Sequence, residues 1–297
     1  MNKVAAVVVT YNRIDLLKQC VEALLKQKYP CDILLVNNNS TDGTEEWALE
    51  LLNKFENIKY HNTGANLGGA GGFNFGMRWA VEAGYEFVWV MDDDCLPKEN
   101  CLELFMEYDT THSGEYGFLS SKVLWQDQSI CVMNVPRAGV YSNNKDFKSK
   151  AVRISMASFV SLFIPVQIIK KVGLPIKEFF IWTDDWEFTR RISLKYPCYL
   201  LNESVVIHKS KSNIGANIAT DSVDRLDRFF YLYRNDVYLY RREGTKGFLY
   251  EAVRLSYHIL RIVFKSDNKL LRVKQLIKGT CAGISFNPRI EMIQERL

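Results

Sequence analysis

The 297-residue chain has no Cys-x-x-Cys pair, and its seven cysteines, at positions 20, 31, 95, 101, 131, 198 and 281, are odd in number. Neither a disulfide framework nor a common zinc spacing is expected, and the pattern fits a reducing, cytoplasmic compartment. The chain also lacks an apolar run long enough to span a bilayer. Its longest weakly charged stretch, Met156 to Ile169, is shorter than the roughly 20 residues a span needs and contains Pro165, so no transmembrane helix is expected. Met1 to Thr10 has neither the apolar length nor the small-residue cleavage region of a signal peptide, and it reads as a first strand. There is no internal repeat and no low-complexity segment. With 47% hydrophobic and 24% charged residues, the chain has the composition of an ordinary globule, not of a disordered protein.

Charge of one sign is scarce overall but unevenly placed. The formal net charge is +4, and from Arg225 onward 15 Lys/Arg face 7 Asp/Glu, which leaves a mildly acidic body and a basic tail. Such a tail suits anionic lipid, a pyrophosphate-bearing substrate or simply a solvated helical face. No recognition module accompanies it, so no nucleic acid partner is expected.

Apolar periodicity along the first ninety residues alternates strand and helix. Val4 to Val9 predicts a strand, and Leu16, Leu17, Cys20, Val21, Leu24 and Leu25 recur at helical spacing after it. Ile33 to Val36, a helix over Thr44 to Phe55, a strand over Ile58 to Tyr60 and a helix over Phe73 to Glu82 continue the pattern up to a strand at Glu86 to Met91. This alternation predicts an α/β fold with a mostly parallel, Rossmann-like, doubly wound sheet, in which ligands bind beyond the carboxyl ends of the strands. After Glu99 the alternation fades. Further on, a helix is predicted at Val166 to Lys171, another opens at Asp184-Asp185, and Ser204 to Val206 leads an apolar run to His208. From Ser222 two or three amphipathic, aromatic-rich helices follow. The organisation read from this is an α/β domain over 1–221 and a basic amphipathic helical region over 222–297.

Chemistry concentrates at the strand ends. Asp92, Asp93 and Asp94 close a buried strand with three charges that repel one another unless a cation or solvent offsets them. A divalent ion carrying a phosphate ligand is the natural counterpart, and a solvated acidic turn is the alternative. Thr10 to Arg13 and Asn37 to Asp42 fall on the same rim. Asn66 to Gly76 holds Gly68, Gly69, Gly71 and Gly72 just before a helix, where glycines permit close backbone approach and free N–H groups can meet a phosphate or sugar oxygen; a structural turn is the other reading. Asp185, among aromatic residues that disfavour its charged form, has the character of a general base. Asp184 would cap the helix or face the acceptor, and Trp182 and Trp186 would stack on a sugar or pack in the core. His208, one of four histidines, would tilt a site containing Asp92 and Asp94 toward Mn²⁺ over Mg²⁺.

Together these motifs resemble the GT-A family 2 inverting glycosyltransferases over roughly residues 3 to 240. The first strand and Thr10-Tyr11-Asn12-Arg13, the turn Val36 to Gly43, the Asp92 to Asp94 triplet and Thr183 to Phe188 each look like a family motif. The glycine-dense segment is most similar to that of bacterial galactofuranosyltransferases, which use UDP-galactofuranose; the dTDP-rhamnose-dependent rhamnosyltransferases share most other motifs. The resemblance implies that Thr10, Tyr11, Asn12 and Arg13 contact the nucleotide, Asn37 and Asn66 line its site, and Asp93 faces the donor sugar or ribose. It further implies that Asp92, Asp94 and His208 hold the metal diphosphate and that Asp185 deprotonates an acceptor hydroxyl. Relatives usually carry an aspartate where this chain has Asn37, and the galactofuranosyl members tend to have an aromatic residue in place of Thr183. The implied acceptor is a growing cell-surface glycan on a lipid carrier. The basic tail, with Phe229, Phe230, Tyr231, Tyr233, Tyr238 and Tyr240 among its arginines, would then rest on the inner leaflet of the plasma membrane. A protein that binds nucleotide sugars without turnover is the reading from another class.

Overall fold

The computed structural model describes residues 3–293. β1 (Val4–Thr10) is buried at every residue, as befits a strand with parallel neighbours on both sides and helices on both faces. α1 (Ile14–Leu25) turns Leu17, Cys20, Val21 and Leu24 toward the sheet. β2 (Asp32–Asn37), α2 (Thr44–Leu52), β3 (Ile58–Asn62), α3 (Gly68–Glu82) and β4 (Phe87–Asp92) complete the wound half, with β2 and β4 both parallel to β1 and β3 parallel to β2. β5 (Cys95–Pro97), α4 (Cys101–Thr111) and β6 (Leu119–Trp125) follow, then the short β7 (Arg137–Gly139), β8 (Ser142–Asn143) and β9 (Ala151–Arg153). β10 (Leu162–Pro165), α5 (Val166–Val172), α6 (Asp184–Ser193) and β11 (Tyr199–His208) precede three helices, α7 (Leu226–Arg241), α8 (Gly244–Lys265) and α9 (Lys269–Ser285).

The main sheet runs β3-β2-β1-β4-β10-β6-β11-β5, with β9 also on β11. β10 is antiparallel to both β4 and β6, so the regular parallel winding stops at β4. That break explains why the sequence alternation fades beyond Glu99. One apolar core lies between the sheet and α1, α2 and α4, and a second lies on the opposite face under α3, α5 and α6.

Two helix boundaries differ from the sequence expectation. α2 stops at Leu52, and Phe55 packs onto the core from the following turn. α3 starts at Gly68, five residues before Phe73, so the glycine-dense segment is mostly helix and not loop. A Cβ on Gly72 would lie 2.4 Å from Val9 Cγ1, and one on Gly76 would lie 2.3 Å from Val7 Cγ1. These glycines let α3 sit directly on β1. Gly71 is likewise helical and closed off, with Leu67 Cβ 2.6 Å from the place its own Cβ would take.

α7 packs along α9 and buries Phe229, Tyr233, Tyr238 and Tyr240. The expectation that these aromatics meet a membrane is therefore corrected: they form the core that ties the helices to the α/β body. Among these three helices, the exposed large apolar side chains belong to α8 and α9. Beyond α9 the chain returns to α3 and to the residues that follow α5. The Leu174 N–H donates to the Glu291 carbonyl, and the Glu291 carboxylate meets Asn74, Arg78 and Lys177.

Candidate active site

β4 delivers Asp92 to its carboxyl end, next to Val9 of β1, and the chain then turns through Asp93 and Asp94 into β5. The three carboxylates meet different fates. Asp94 is buried and receives Arg13 at 2.8 Å and His208 Nε2 at 3.1 Å. Burial pushes its pKa up, but the His208 ring and Arg13 outweigh that and hold it below the usual carboxylate range. Asp93 is buried as well, accepting from the Thr10 hydroxyl at 2.8 Å and from Arg13 at 3.3 Å, yet burial still pushes it up to about 6. Asp92 is partly exposed, and among the described residues its carboxylate meets no hydrogen-bond donor. Burial and the Asp94 charge push it up to about 7.

This arrangement suits a hard divalent cation. The carboxylates of Asp92 and Asp94 lie with the Cys95 thiol in a group whose potential ligand atoms are all within 4.8 Å of one another. Burial raises the Cys95 pKa well above its ordinary value, so the thiol stays protonated and the oxygens are the better ligands for Mn²⁺ or Mg²⁺. His208 adds an imidazole against Asp94. Burial works against its cationic form, but the hydrogen bonds to Asp94 and Cys131 and the charges of Asp94 and Asp92 together outweigh it and lift the ring to about 10. Its Nδ1 lies 2.8 Å from Asn134 Oδ1. With Nδ1–H donating there, Nε2 is the nitrogen that faces the carboxylates, the orientation a metal ligand needs.

The nucleotide-side residues divide into exposed and committed ones. Tyr11, Asn12 and Arg13 lie on the surface, and Asn12 Oδ1 accepts from the Thr41 N–H, which joins the first two strand-end loops. Thr10 and Asp93, expected to touch the donor, are instead buried against each other. Asn37 is fully buried: its Oδ1 accepts from the Ser40 N–H and its Nδ2 donates to the Tyr60 hydroxyl. A nucleobase cannot reach it in this arrangement, so the expected base contact is corrected to a turn-forming role, and the neighbouring Asn39 is the exposed amide.

At the start of α3, Asn66 Oδ1 accepts from the Gly68 N–H, and the Phe180 carbonyl accepts from the Ala70 N–H. A Cβ on Gly68 would fall 2.1 Å from that carbonyl oxygen, and its φ is +70°. The backbone close approach predicted for these glycines is made by the protein's own chain. Gly71 and Gly72 are buried in the helix and offer no ligand surface; Gly69, with nothing within 4 Å of a Cβ position, is the open one.

Asp184 and Asp185 begin α6, but neither caps it. The N-cap is Thr183, in the left-handed region and without a side-chain cap bond. Burial pushes Asp184 up to about 7. Asp185 is partly exposed and accepts from the Trp186 N–H at 2.7 Å. Its pKa is raised well above the ordinary range, by burial first, then by Asp184, and also by the charge of Asp92.

The approach to α6 is strained. Phe180, Trp182 and Thr183 all have φ between 64° and 68°, and the Ile181 N–H donates to the Phe179 carbonyl to close a γ-turn at Phe180. Non-glycine residues in such regions cost about 1–3 kcal/mol each, so the surroundings must hold them. The two tryptophans are partly occupied by the protein. Trp186 has the Arg137 guanidinium over its ring at 3.7 Å, which takes one face from any sugar, and Trp182 packs edge-on against Phe229 with ring centroids 5.2 Å apart.

Several site residues carry little sequence signal. Cys95 adjoins the triplet and could have been found by adjacency. Asn134 lies in a short helical turn at Val132–Asn134 with nothing to mark it. Asn235 and Asp236 are buried polar residues on α7 whose partners lie in the strained segment before α6. Their one signal is Asp236 itself, an acid on the apolar stripe of Phe229, Tyr233 and Tyr240.

Comparisons with known proteins agree with this geometry. Residues 5–114 match the family model described as Glycosyl transferase family 2. Over 281 residues the chain is 26% identical to galactofuranosyltransferase GlfT1 of Mycolicibacterium smegmatis, covering 86% of this chain and 89% of that protein. Its fold matches S. aureus TarS 1-349 in complex with UDP-GlcNAc at a TM-score of 0.55, with 16% identity over 96% of this chain and 73% of that one. It also matches mannosyltransferase PcManGT from Pyrobaculum calidifontis, in complex with GDP-Man and Mn²⁺, at a TM-score of 0.58 with 14% identity over 96% of this chain and 76% of that one. Residues 5–114 thus carry a glycosyl transferase family 2 domain, and the chain has the fold of GT-A glycosyltransferases with additional C-terminal helices.

Proposed function

We propose that the protein transfers galactofuranose, with inversion, from UDP-galactofuranose to a hydroxyl of a growing cell-surface glycan such as an O-antigen or capsule. The observation that carries this reading is the placement of Asp92 and Asp94 at the carboxyl end of β4, with His208 on Asp94, as a group able to hold a divalent ion for a departing diphosphate. A single displacement needs such a leaving-group site together with a proton acceptor, the role proposed for Asp185 at the start of α6. The choice of donor rests on the galactofuranosyltransferase relative, which this chain follows over most of its length.

In the proposed reaction an acceptor hydroxyl, free or on a lipid-linked glycan, gives its proton to Asp185 as its oxygen bonds to the anomeric carbon. The bond from that carbon to the diphosphate breaks, and UDP leaves with the electron pair. The raised pKa makes Asp185 a stronger base once it is ionised. Asp92 and Asp94, with His208 beside them, would hold Mn²⁺ or Mg²⁺, which when bound supplies charge neutralisation for the departing diphosphate. Arg13 offers a second positive charge on the same side. The exposed Tyr11, Asn12 and Asn66 and the half-buried Gly69 are the residues proposed to meet the nucleotide.

A donor panel with Mn²⁺ tests this: UDP-galactofuranose, UDP-galactopyranose and dTDP-rhamnose, scored by nucleotide release with a glycan acceptor. Release from UDP-galactofuranose alone is expected. Preference for dTDP-rhamnose would replace the donor, and UDP binding with no turnover on any of the three would replace the enzyme with a binder.

We also propose peripheral docking at the inner face of the plasma membrane, through α8. No helix among the described residues is long and apolar enough to cross a membrane. Leu249, Val253, Tyr257, Leu260 and Phe264 recur at three- and four-residue spacing and are all exposed, while Glu251, the single acid of α8, is buried against Arg254. An acid-free apolar face near Lys246, Lys265 and Lys269 suits anionic lipid. The triple variant Leu249→Ser, Leu260→Ser, Phe264→Ser should partition at least tenfold less onto phosphatidylglycerol vesicles. Equal partition would remove the membrane from the proposal.

A further inference from the structure

The residues before Asp184 follow a path that polypeptide does not adopt unaided, and one short piece of α7 holds most of it. Asn235 is fully buried, and its Nδ2 lies 3.0 Å from the Phe179 carbonyl, 3.1 Å from that of Ile181 and 2.9 Å from that of Trp182. The other end of the amide, Oδ1, accepts from Arg234 at 2.9 and 3.0 Å, which fixes which way the amide points. Arg234 itself donates to the carbonyls of Glu178 and Phe179. The next residue, Asp236, accepts from the Thr183 hydroxyl at 2.6 Å and pairs through its other oxygen with Arg254 of α8 at 2.7 Å. Arg254 is in turn held by Glu251.

Every left-handed residue of the segment is thereby accounted for. Asn235 binds on both sides of Phe180 and on Trp182 itself, and Asp236 fixes Thr183. Thr183 is the N-cap of α6, so its conformation sets where the first turn, and with it Asp185, begins. The opposite side of the segment rests on α3 through the Phe180 carbonyl and the Ala70 N–H. A carboxylate cannot replace the Asn235 amide without facing three carbonyl oxygens, and an alanine leaves those oxygens unpaired.

We propose that Asn235 and Asp236 are positioning residues for glycosyl transfer: they lock residues 179–183 into the left-handed path that aims Asp185 at the acceptor hydroxyl. This places part of the catalytic geometry in the C-terminal helices, outside the segment matched by the family model. It rests on the assignment of Asp185 as the base.

The test uses the full chain with Asn235→Ala, Asp236→Asn and Thr183→Val, beside Asp185→Asn as reference. The expected result for Asn235→Ala is a fall in kcat of at least tenfold with UDP affinity within twofold of the parent. The acid limb of its kcat–pH profile should also be displaced, because the surroundings of Asp185 change with the loop. Hydrogen exchange should quicken at the amides of 179–183 and not at those of β1 or β4. Thr183→Val, which removes only the hydroxyl, should show the same split more weakly and guards against a failure of Asn235→Ala to fold. Parental kcat in folded Asn235→Ala and Thr183→Val overturns the proposal, as does a loss of UDP affinity parallel to the loss of kcat. If Asp185→Asn keeps its turnover while exchange at 179–183 still quickens in Asn235→Ala, the base assignment fails and the clamp stands.

Discussion

The proposed donor side and the proposed acceptor side of the candidate active site are built by opposite strategies. On the donor side, Asp92 to Asp94 emerge from a regular parallel strand, and their difficulty is electrostatic: three carboxylates together, offset by Arg13 and His208. On the acceptor side, Asp184 and Asp185 emerge from a backbone with three left-handed residues in four positions, and their difficulty is conformational. The first can be relieved by a cation that arrives with the substrate. The second has to be relieved permanently by protein, and α7 and α8 supply that support.

Experiments can break or sharpen this contrast. The largest effect is expected for Asp185→Asn, which keeps the shape and the Trp186 N–H contact but removes the proton acceptor; kcat should fall by about 10²–10⁴-fold with UDP affinity unchanged. Retained turnover would mean that the acceptor side has no base at this position. Asp92→Ala should act on the other side alone, weakening Mn²⁺ binding, read by electron paramagnetic resonance of the free ion, and raising the donor KM. An unaltered Mn²⁺ titration would place the metal elsewhere.

Smaller effects test the scaffold. Gly76→Ala puts a methyl 2.3 Å from Val7 Cγ1 and should destabilise the fold by about 1–3 kcal/mol in denaturant melts by lifting α3 from β1. A neutral result would show that α3 has room to move. The smallest effect is a pH dependence of the metal-free protein. Asp92 and Asp184, near 7, and Asp93, near 6, sit above the unfolded aspartate value of about 3.9, so the folded chain takes up protons that the unfolded chain does not as pH falls from 8 to 6. His208, raised to about 10, works in the same direction, since its stabilisation is complete below the unfolded histidine value and lost as pH rises through 10. The lowered Asp94 loses its contribution only below about 4, outside this window. The melting temperature in EDTA should therefore rise from pH 8 to pH 6, and saturating Mn²⁺ should narrow the difference. A flat profile would mean that the carboxylates are better solvated than their burial implies.

The same contrast governs what the sequence discloses. Alternating apolar runs revealed the strands up to β4, because a parallel strand buried on both faces needs an unbroken apolar stretch, and each strand end exposed its polar cluster. The carboxylate triplet and His208 stand at such strand ends, whereas Asp185 stands at a helix start. Asn37 and Asp93 were assigned to the ligand because polar residues at a strand end look alike whether they face outward or support the turn, and only the contacts with Tyr60, Ser40 and Thr10 distinguish them. The glycines of α3 were read as loop because glycine lowers helix propensity; the gain from setting the helix against Val7 and Val9 is tertiary and leaves no local trace. Asn235 and Asp236 act across more than fifty positions of sequence, on a backbone whose strain no composition reveals.

Glu291 has a consequence for how the molecule is made. Its carboxylate completes the polar setting of Asn74 and Arg78 on α3, across separations of 217 and 213 positions. During synthesis α3 leaves the ribosome long before its partner, which follows 213 to 217 positions later. The Rossmann-like half can collapse early on its own apolar face, but the outer side of α3 stays open until the C-terminal helices have folded and the strand of chain after them has returned. A nascent chain stalled after α9 should therefore leave Asn74 without the Glu291 carboxylate and Arg78 without its counter-charge.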